Sequence, residues 1–444
     1  MRPSQLIASD RLRLLLLNQF YPPDMAPTGQ HLHEVARCLA GRGHLVTVLC
    51  SRGSYEGGRR YPPRESLEGV RVRRMASSSF GGTGIGRAVG LASFLLAAAG
   101  QAVVERQGYD LALYLTTPPF VGWVVPRALG KRGRTTVQWV MDLYPDVLVA
   151  HGVVSAGGVV DRLLRSVTRS QLRGSALVLT LGERMQEKVR AHAGPGTRLE
   201  CVPLWSALLD DAPPEEAVSS CREKRGWAPG DLVLLYSGNM GLGHRLEEFL
   251  EGAARMADPS GRGAYNGPQG DGVGPQGDGV VWAFAGGGRR RGEVERFVAA
   301  HRGARVQLLP YVRQEDLGAS LAAADVHLVS QRSPWQGLIV PSKLQAAFGL
   351  GRPVIFVGPR DCEPADWIAA SGGGWHVGEG DVEGLLRAVD EARDPAERRR
   401  RGEAGRAFAR VRFDPATNVN RIADLLEEVA QSRQHGPWRL TGPR

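Results

Sequence analysis

Residues 12–50 read LRLLLLNQFYPPDMAPTGQHLHEVARCLAGRGHLVTVLC, and this stretch decides the fold class. It begins with an apolar run that ends at Asn18 and continues through a proline-rich loop. Residues 30–42 then carry apolar side chains at the spacing of one helix face, and the β-branched run Leu45–Cys50 follows. A strand, a helix and a second strand in direct succession predict a parallel sheet with helices on its faces.

The same unit recurs along the chain, which predicts an α/β protein with two doubly wound Rossmann-like halves. We place the first domain at residues 1–205, the second at 206–412, and a C-terminal helix and tail at 413–444. The further predicted strands each precede a polar or glycine-rich turn, and they are Asp110–Tyr114, Thr135–Val140, Ala176–Thr180, Leu232–Tyr236, Val280–Ala285, Val306–Leu309, Val326–Val329 and Pro353–Val357.

One segment breaks this alternation of strands and helices. The heptad GPQGDGV occurs at 267–273 and again at 274–280, and it offers almost nothing to bury. We therefore predict a flexible surface insertion over residues 258–280. The basic stretch 397–413 alternates with apolar positions and predicts a solvated helix face.

The charge balance is strongly basic, because 56 Lys and Arg outweigh 46 Asp and Glu by ten charges. Nucleic acid, an anionic membrane surface and a phosphorylated small molecule are all compatible partners. Only four of the basic residues are lysine, so a lysine is more informative about a site than an arginine. Five scattered cysteines argue against a disulfide framework or a zinc site and indicate a reducing cytosol.

Two apolar stretches bear on targeting. The run before Asn18 is too short for the core of a signal peptide. The longest uncharged stretch, residues 88–104, falls below the usual spanning length and contains small and polar residues. We expect a helix there that is buried or touches a membrane surface without crossing it.

Glycines at the predicted carboxyl ends of strands are candidates for binding an anion. Gly29 lies at the mouth of the first helix, where a plain strand-to-helix connection is the alternative reading. In SGNMGLGHR (237–245), Gly238 and Asn239 precede a helix, and His244 and Arg245 could add charge-assisted contacts. Gly287 lies in a further glycine loop that opens a helix.

The strongest local signal is SPWQGLIVPSKLQAAFGLGRPVI at 333–355. Pro341 and Ser342 lead into Lys343, which is predicted at the start of a helix. A cation there opposes the helix dipole, so its position favours a bound anion.

Asp142 in WVMDLYPD (139–146) comes at the end of a predicted strand and is a candidate for holding a substrate hydroxyl. A helical turn would place Asp146 on the same face, and helix N-capping by either aspartate is an equally supported alternative. The sequence lacks GxGxxG after the first strand, GxSxG, HExxH and paired Asp-x-Asp. A dinucleotide oxidoreductase, an esterase of the nucleophile-elbow type, a zinc protease and a carboxylate-held metal therefore lose support.

Four stretches together resemble glycosyltransferase family four, the retaining GT-B enzymes, and especially the branch that builds bacterial surface polysaccharide. They are the region around Gly29, WVMDLYPD, YSGNMGLGH and VPSKLQAAFGLGRPVI, and the resemblance runs over roughly residues 12–430. It implies two Rossmann-like domains facing a cleft, with a C-terminal helix that crosses back to the first domain.

The resemblance also implies a nucleotide-sugar donor bound mainly by the second domain. Gly238 and Asn239 would lie near the diphosphate, the loop with Val312 and Arg313 near the base, and Pro341, Ser342 and Lys343 around the phosphates or ribose. Gly29 would close over the diphosphate from the first domain. His244, Arg245 and Gly287 complete the expected donor site.

Three positions depart from the family pattern. Aligning Ser342–Lys343 and the Gly-Arg-Pro turn at 351–353 leaves Leu338 and Ala346 where many members carry two glutamates. Met141 stands where many members have a histidine on the acceptor side.

The expected reaction transfers a sugar with retention from a UDP-sugar, or a GDP-sugar, to a polyprenyl-diphosphate-linked saccharide, without a metal or other cofactor. Lys343 would neutralise the leaving diphosphate and Asp142 would orient the acceptor. The basic charge and the stretches 88–104 and 159–174 suit a cytoplasmic protein that is peripheral on the inner membrane. An inactive protein that binds nucleotide sugar or partner proteins is the alternative, and a nucleic-acid-binding protein is a third reading without a recognisable module.

Overall fold

A computed structural model describes residues 11–54, 58–77, 84–105, 108–129, 135–209, 212–257 and 279–434. The chain divides into two compact units. Unit 1 comprises residues 1–203 together with 416–444, and unit 2 comprises residues 204–415. Most of the predicted insertion (258–278) and the tail (435–444) lie outside the described residues.

Unit 1 is built on a mainly parallel sheet whose strand order is β3-β4-β2-β1-β5-β6-β7-β8. Only the β3–β4 pair is antiparallel. The central strands are buried almost completely, as expected for a sheet covered on both faces. The strands are β1 (Arg13–Leu17), β2 (Leu45–Ser51), β3 (Arg64–Leu67), β4 (Val70–Met75), β5 (Leu111–Leu115), β6 (Thr135–Trp139), β7 (Leu177–Thr180) and β8 (Leu199–Cys201).

The helices of unit 1 cover this sheet in two layers. The connections that contain α2, α3, α5 and α6 all advance in one direction across the sheet, so right-handed crossovers place these helices on one face. The connection that contains α1 runs in the opposite direction, which places α1 on the other face. These helices are α1 (Pro27–Gly41), α2 (Gly84–Glu105), α3 (Val121–Leu129), α4 (Asp146–Ala150), α5 (Val159–Arg173) and α6 (Glu183–Ala193).

Unit 2 repeats the design with a parallel sheet in the order β11-β10-β9-β12-β13-β14. Apolar clusters pack on both faces of this sheet, one around Trp282 and Phe249 and the other around Trp227 and Leu321. The strands are β9 (Leu232–Ser237), β10 (Val280–Ala285), β11 (Val306–Leu309), β12 (Val326–Ser330), β13 (Val354–Val357) and β14 (Gly374–Val377). The helices are α7 (Glu215–Lys224), α8 (Glu247–Ala257), α9 (Arg291–Ala300), α10 (Gln314–Ala322), α11 (Lys343–Gly349), α12 (Glu363–Ser371), α13 (Val382–Glu391) and α14 (Pro395–Arg412).

The last described helix, α15 (Pro415–Gln434), returns to unit 1 as predicted. Arg42 at the end of α1 donates to Asp424 (2.7 Å) and Glu427 (3.1 Å), and the buried His44 lies 2.8 Å from Glu427. Asn418 donates to the carbonyl of Pro203. The C-terminal helix is therefore an integral part of the first unit.

The predicted α/β architecture is confirmed, and the main differences are short strands that the sequence did not reveal. Strand β4 has the sequence VRVRRM, in which three arginines interrupt the apolar run that marks the other strands. Strand β8 has only three residues. Within the described ranges, no helix is both long enough and apolar enough to cross a membrane.

Candidate functional site

The predicted anion loops of unit 2 meet at the carboxyl ends of β9 and β10. Gly238 and Gly286 both adopt positive φ, +117° and +125°, which favours glycine. A Cβ atom on Gly286 would lie 2.3 Å from the carbonyl oxygen of Gly238, and one on Gly288 would lie 2.4 Å from the Asn239 side chain. These glycines let the two loops cross at backbone distance.

The Lys343 side chain, on the first residue of α11, reaches these loops. Its Nζ lies 2.9 Å from the Tyr236 hydroxyl, 3.4 Å from the carbonyl of Asn239 and 3.4 Å from His244 Nε2. The Cε atom would be 3.2 Å from a Cβ on Gly238. The structure thus brings Gly238, Asn239, His244 and Lys343 together.

The surroundings of Lys343 are polar but uncharged. The hydrogen-bond partners of its Nζ described above are neutral acceptors, and in the described part of unit 2 no carboxylate pairs with it. Burial without a counter-ion lowers the pKa of the Lys343 ammonium to about 7. An anion bound at Nζ would supply the missing negative charge.

His244 has a defined tautomer. Its Nδ1 lies 2.7 Å from the carbonyl of Ser330, which can only accept, so Nδ1 carries the hydrogen and Nε2 presents a lone pair to Lys343. Burial, reinforced by the charge of Lys343, lowers the pKa of His244 to about 3. Arg290 and Arg332 both donate to the His244 carbonyl, which fixes the backbone here.

Arg245, in the loop before α8, is engaged by a carboxylate of that helix. Its guanidinium binds the buried carboxylate of Glu248 in α8, 2.6 Å from Nε, and this pairing raises the pKa of Arg245. Its backbone N–H donates to the hydroxyl of Ser330. Contact with an anion would therefore compete with an existing ion pair.

The loop that carries Val312 and Arg313 follows β11 at the same end of the sheet. Arg313 is exposed and pairs with Glu315 (2.7 Å) and Asp316 (3.0 Å). The exposed ring of Tyr311 lies against Gly287, where a Cβ would come within 2.8 Å of it. The Tyr311 ring therefore leaves no room for a side chain at position 287.

The residues before Lys343 form the turn that leads into α11. Pro341 is buried and Ser342 is exposed, and the Gln345 amide can donate to both of their carbonyls. Leu338 is buried, with 5% of its surface exposed, and Ala346 packs on the apolar cluster around Trp227. Both positions of the family's glutamate pair are thus occupied by apolar packing.

In unit 1, Gly29 lies in the first turn of α1 and is buried. Its N–H donates to the carbonyl of Ala26 (2.9 Å), and a Cβ would lie 2.9 Å from the carbonyl oxygen of Phe20. The glycine is explained by this close approach of the β1 loop to the helix. Its predicted contact with a diphosphate stays a prediction.

Asp142 and Asp146, which the sequence predicted on one helical face or at a helix N-cap, differ in structure. Residues 141–145 are not helical and α4 begins at Asp146, so the two do not share a helical face. Neither side chain caps α4. Burial acts to raise the pKa of Asp146, but hydrogen bonds from His192 and Arg165 outweigh it and lower this pKa. Asp146 therefore forms structural ion pairs with these two side chains.

Asp142 has no such partner among the described side chains. Its backbone N–H is held by the Thr116 hydroxyl (3.0 Å), and its carboxylate faces a small cavity that Phe120, Tyr144 and Thr168 also line. Burial raises the pKa of Asp142 to about 6. Its predicted contact with a substrate hydroxyl stays a prediction.

Sequence reasoning missed Tyr236 and Ser330, which support Lys343 and His244. Each is a fully buried polar residue at or near the end of an apolar strand, and that position was the available signal. Across the described ranges, no group of three or more His, Cys, Asp or Glu residues is arranged to hold a metal ion.

Comparison with known proteins agrees with this architecture. Residues 28–205 match the model of the glycosyl transferase 4-like domain. The chain is 23% identical over 355 residues to the putative colanic acid biosynthesis glycosyl transferase WcaI of Escherichia coli K12, covering 77% of this chain and 82% of that protein.

Solved structures show the same fold. Sucrose-phosphate synthase from Thermosynechococcus elongatus superposes with a TM-score of 0.71 at 17% identity, covering 95% of this chain and all of that one. HepE from Anabaena, solved with UDP and glucose, gives a TM-score of 0.66 at 14% identity, covering 94% and 100%. The chain therefore carries a glycosyl transferase 4-like domain at residues 28–205, and its fold is GT-B.

Proposed function

We propose that this enzyme transfers a sugar, with retention and without a metal ion, from a nucleotide-diphosphate donor to a lipid-linked saccharide in cell-surface polysaccharide synthesis. A UDP-sugar is the favoured donor and a GDP-sugar the second candidate. The observation that carries the proposal is Lys343, a desolvated amine beside two crossed glycine loops with no counter-ion among the described side chains. The name of the relative WcaI supports the polysaccharide role, and the UDP bound to HepE supports the donor class.

The bound donor diphosphate would raise the pKa of Lys343, so that the side chain is an ammonium that donates hydrogen bonds to the phosphate oxygens. As the bond from the sugar to the diphosphate breaks, negative charge develops on the leaving oxygen, and a fixed ammonium lowers the energy of that state. The leaving phosphate takes the proton of the acceptor hydroxyl while the new glycosidic bond forms. No strong protein base is needed in this scheme.

Asp142 would act on the acceptor. Its carboxylate, in a cavity walled by Phe120 and Tyr144, accepts a hydrogen bond from a sugar hydroxyl and thereby orients the acceptor. Unit 1 is therefore proposed to hold the acceptor and unit 2 the donor.

The first test is a thermal-shift panel of UDP-, GDP-, CDP- and TDP-sugars, each with and without EDTA. A ligand that binds only the folded protein raises the unfolding midpoint by mass action. We expect one base class to raise the midpoint equally in EDTA, and turnover with a lipid-linked acceptor to follow. Donor binding without any turnover across an acceptor panel would favour the inactive alternative, and no shift from any donor would refute the proposal.

A further inference from the structure

The helices on one face of the unit 1 sheet leave an unusual amount of apolar surface exposed. Ten large hydrophobic residues are exposed in the described part of the chain, and seven of them lie on α2, on α5 or just before α5. These seven are Val89, Leu96, Val103, Val153, Val159, Val160 and Leu163. Exposed apolar residues that concentrate in this way mark an interaction surface.

The exposed residues of α2 form a single stripe. Val89, Leu96 and Val103 recur every seven residues, and Leu96 is 73% exposed. The opposite side of the helix is buried in the core at Phe94 and Ala98. From residue 88 to 104 the sequence contains no charged residue. An α2 that faced only water would gain nothing from this outward stripe.

Helix α5 presents a second patch in the same layer. Val159, Val160 and Leu163 are exposed by 77%, 57% and 63%, whereas Thr168 and Leu172 face the core. Helix α3 lies between α2 and α5, and its Arg127 stacks on Trp123 (4.2 Å) and donates to Ser170 of α5. The layer therefore joins the two patches.

Basic side chains accompany these patches. Arg162, Arg169 and Arg173 are exposed, and their spacing puts them on one flank of α5. On the described side chains of α2, α3 and α5, no carboxylate is exposed, because Asp161 is buried and pairs with Arg165. An apolar face bordered by arginines is complementary to anionic headgroups above acyl chains.

We propose that this apolar–basic face, the seven hydrophobic residues with Arg127, Arg162, Arg169 and Arg173, binds the surface of an anionic lipid bilayer. The inference rests on the proposed lipid-linked acceptor and deepens it. Thr168 and Gln171 of α5 line the cavity of Asp142, so the helix that contacts the bilayer also walls the acceptor pocket. A lipid-linked saccharide would reach Asp142 without leaving the membrane surface.

The test is flotation of the full chain with vesicles of phosphatidylcholine containing roughly 30% phosphatidylglycerol, compared with pure phosphatidylcholine. Wild type should float with the anionic vesicles and lose binding at high salt. The Arg162→Gln and Arg169→Gln pair should weaken binding about 30-fold, since each cation near the surface contributes about 1 kcal/mol. Leu96→Glu and Leu163→Glu should each weaken it at least about tenfold.

Val411→Glu is the matched control, because Val411 is 82% exposed on α14 in unit 2. It should float like wild type, and its equal loss of binding would overturn the assignment of the face. Sedimentation without vesicles tests the other occupant: a dimer that Leu163→Glu dissociates would show that this face pairs with a second copy. Donor binding by thermal shift separates the two claims. A wild type that binds donor but does not bind vesicles overturns only this inference. A wild type that binds vesicles but no donor overturns only the proposed function.

Discussion

At the carboxyl end of the sheet in each unit lies a desolvated side chain that has no counter-ion among the described residues, Asp142 in unit 1 and Lys343 in unit 2, and these two groups have opposite chemistry. In unit 2, burial lowers the pKa of Lys343 to about 7. In unit 1, burial raises the pKa of Asp142 to about 6. Both shifts favour the neutral form, which is the usual response of an unpaired charge to a low dielectric.

The neighbours of the two groups differ in a way that fits different ligands. Lys343 is surrounded by neutral acceptors, the Tyr236 hydroxyl, the Asn239 carbonyl and His244 Nε2, so a bound anion would favour its charged form. Asp142 is fixed through its backbone and leaves its carboxylate for a hydrogen-bond donor. Asp146, four residues away, has a structural role, because its carboxylate already pairs with Arg165 and His192.

The largest expected effect is on donor binding by Lys343→Met. Loss of an ammonium that hydrogen-bonds a diphosphate costs about 3 kcal/mol, so the donor Kd should rise about 100-fold. Isothermal titration calorimetry at pH 6.5 measures it. Lys188→Met, at an exposed lysine of α6 in unit 1, should leave Kd unchanged. Donor binding by Lys343→Met at wild-type strength would remove Lys343 from the site.

The second prediction concerns pH. Free Lys343 is mostly neutral above its pKa of about 7, and the bound diphosphate favours the ammonium, so binding should take up close to one proton at pH 8. Donor affinity should fall about 30-fold between pH 6 and 8.5. Calorimetry in buffers of different ionisation enthalpy measures the number of protons taken up on binding. If the Lys343→Met variant takes up the same number, the proton binds to another group.

The same pKa makes a prediction about stability without ligand. The folded pKa of Lys343 lies below the unfolded value of 10.5, so the unfolded chain binds more protons between these two values. The contribution of Lys343 to the free energy of unfolding should therefore rise with pH from about 7 to 10.5. Urea unfolding of wild type minus Lys343→Met across this window isolates it, and a flat difference would contradict the shifted pKa.

A tenfold effect is expected from Asp142→Asn on the acceptor side. The amide keeps the shape but accepts a weaker hydrogen bond, so the acceptor KM should rise or kcat fall about tenfold, while donor Kd stays the same. Because the folded pKa of Asp142 lies above the unfolded 3.8, its charged form destabilises the fold above pH 6. Removing that charge should leave the midpoint at pH 7.5 unchanged or higher.

Asp146→Asn is the contrasting variant. It breaks the pairs with Arg165 and His192 in a half-buried setting and should cost about 1–2 kcal/mol in free energy of unfolding. Thermal denaturation measures this loss. Full turnover by Asp142→Asn, or an undiminished stability of Asp146→Asn, would erase the distinction between the two carboxylates.

The smallest effect is expected at Arg313→Ala. Its guanidinium is exposed and its ion pairs with Glu315 and Asp316 are solvated, so donor Kd should change less than about threefold and stability less than about 0.5 kcal/mol. A tenfold loss of donor affinity would show that the side chain, and not only the backbone of its loop, contacts the base.

Much of the candidate site could be predicted from sequence, because glycines after strands and a lysine at a helix start leave local signals. Gly238, Asn239, His244 and Lys343 were predicted separately and lie together in the structure. The roles of Gly29 and Arg245 could not be read in this way. The carbonyl of Phe20 and the carboxylate of Glu248 determine their contacts, and no spacing rule reveals such partners.

The sequence by itself determined the alternation of strands and helices, the parallel sheets and the positions of the glycine loops, because periodicity and backbone preference act over a few residues. Only the tertiary structure decided that Lys343 and Asp142 have no ion-pair partner among the described residues, whereas Asp146 is paired. It also decided that the stripes of α2 and α5 belong to one face. The pKa of a group and the extent of a surface depend on which distant segments surround it, and chain folding alone brings those segments together.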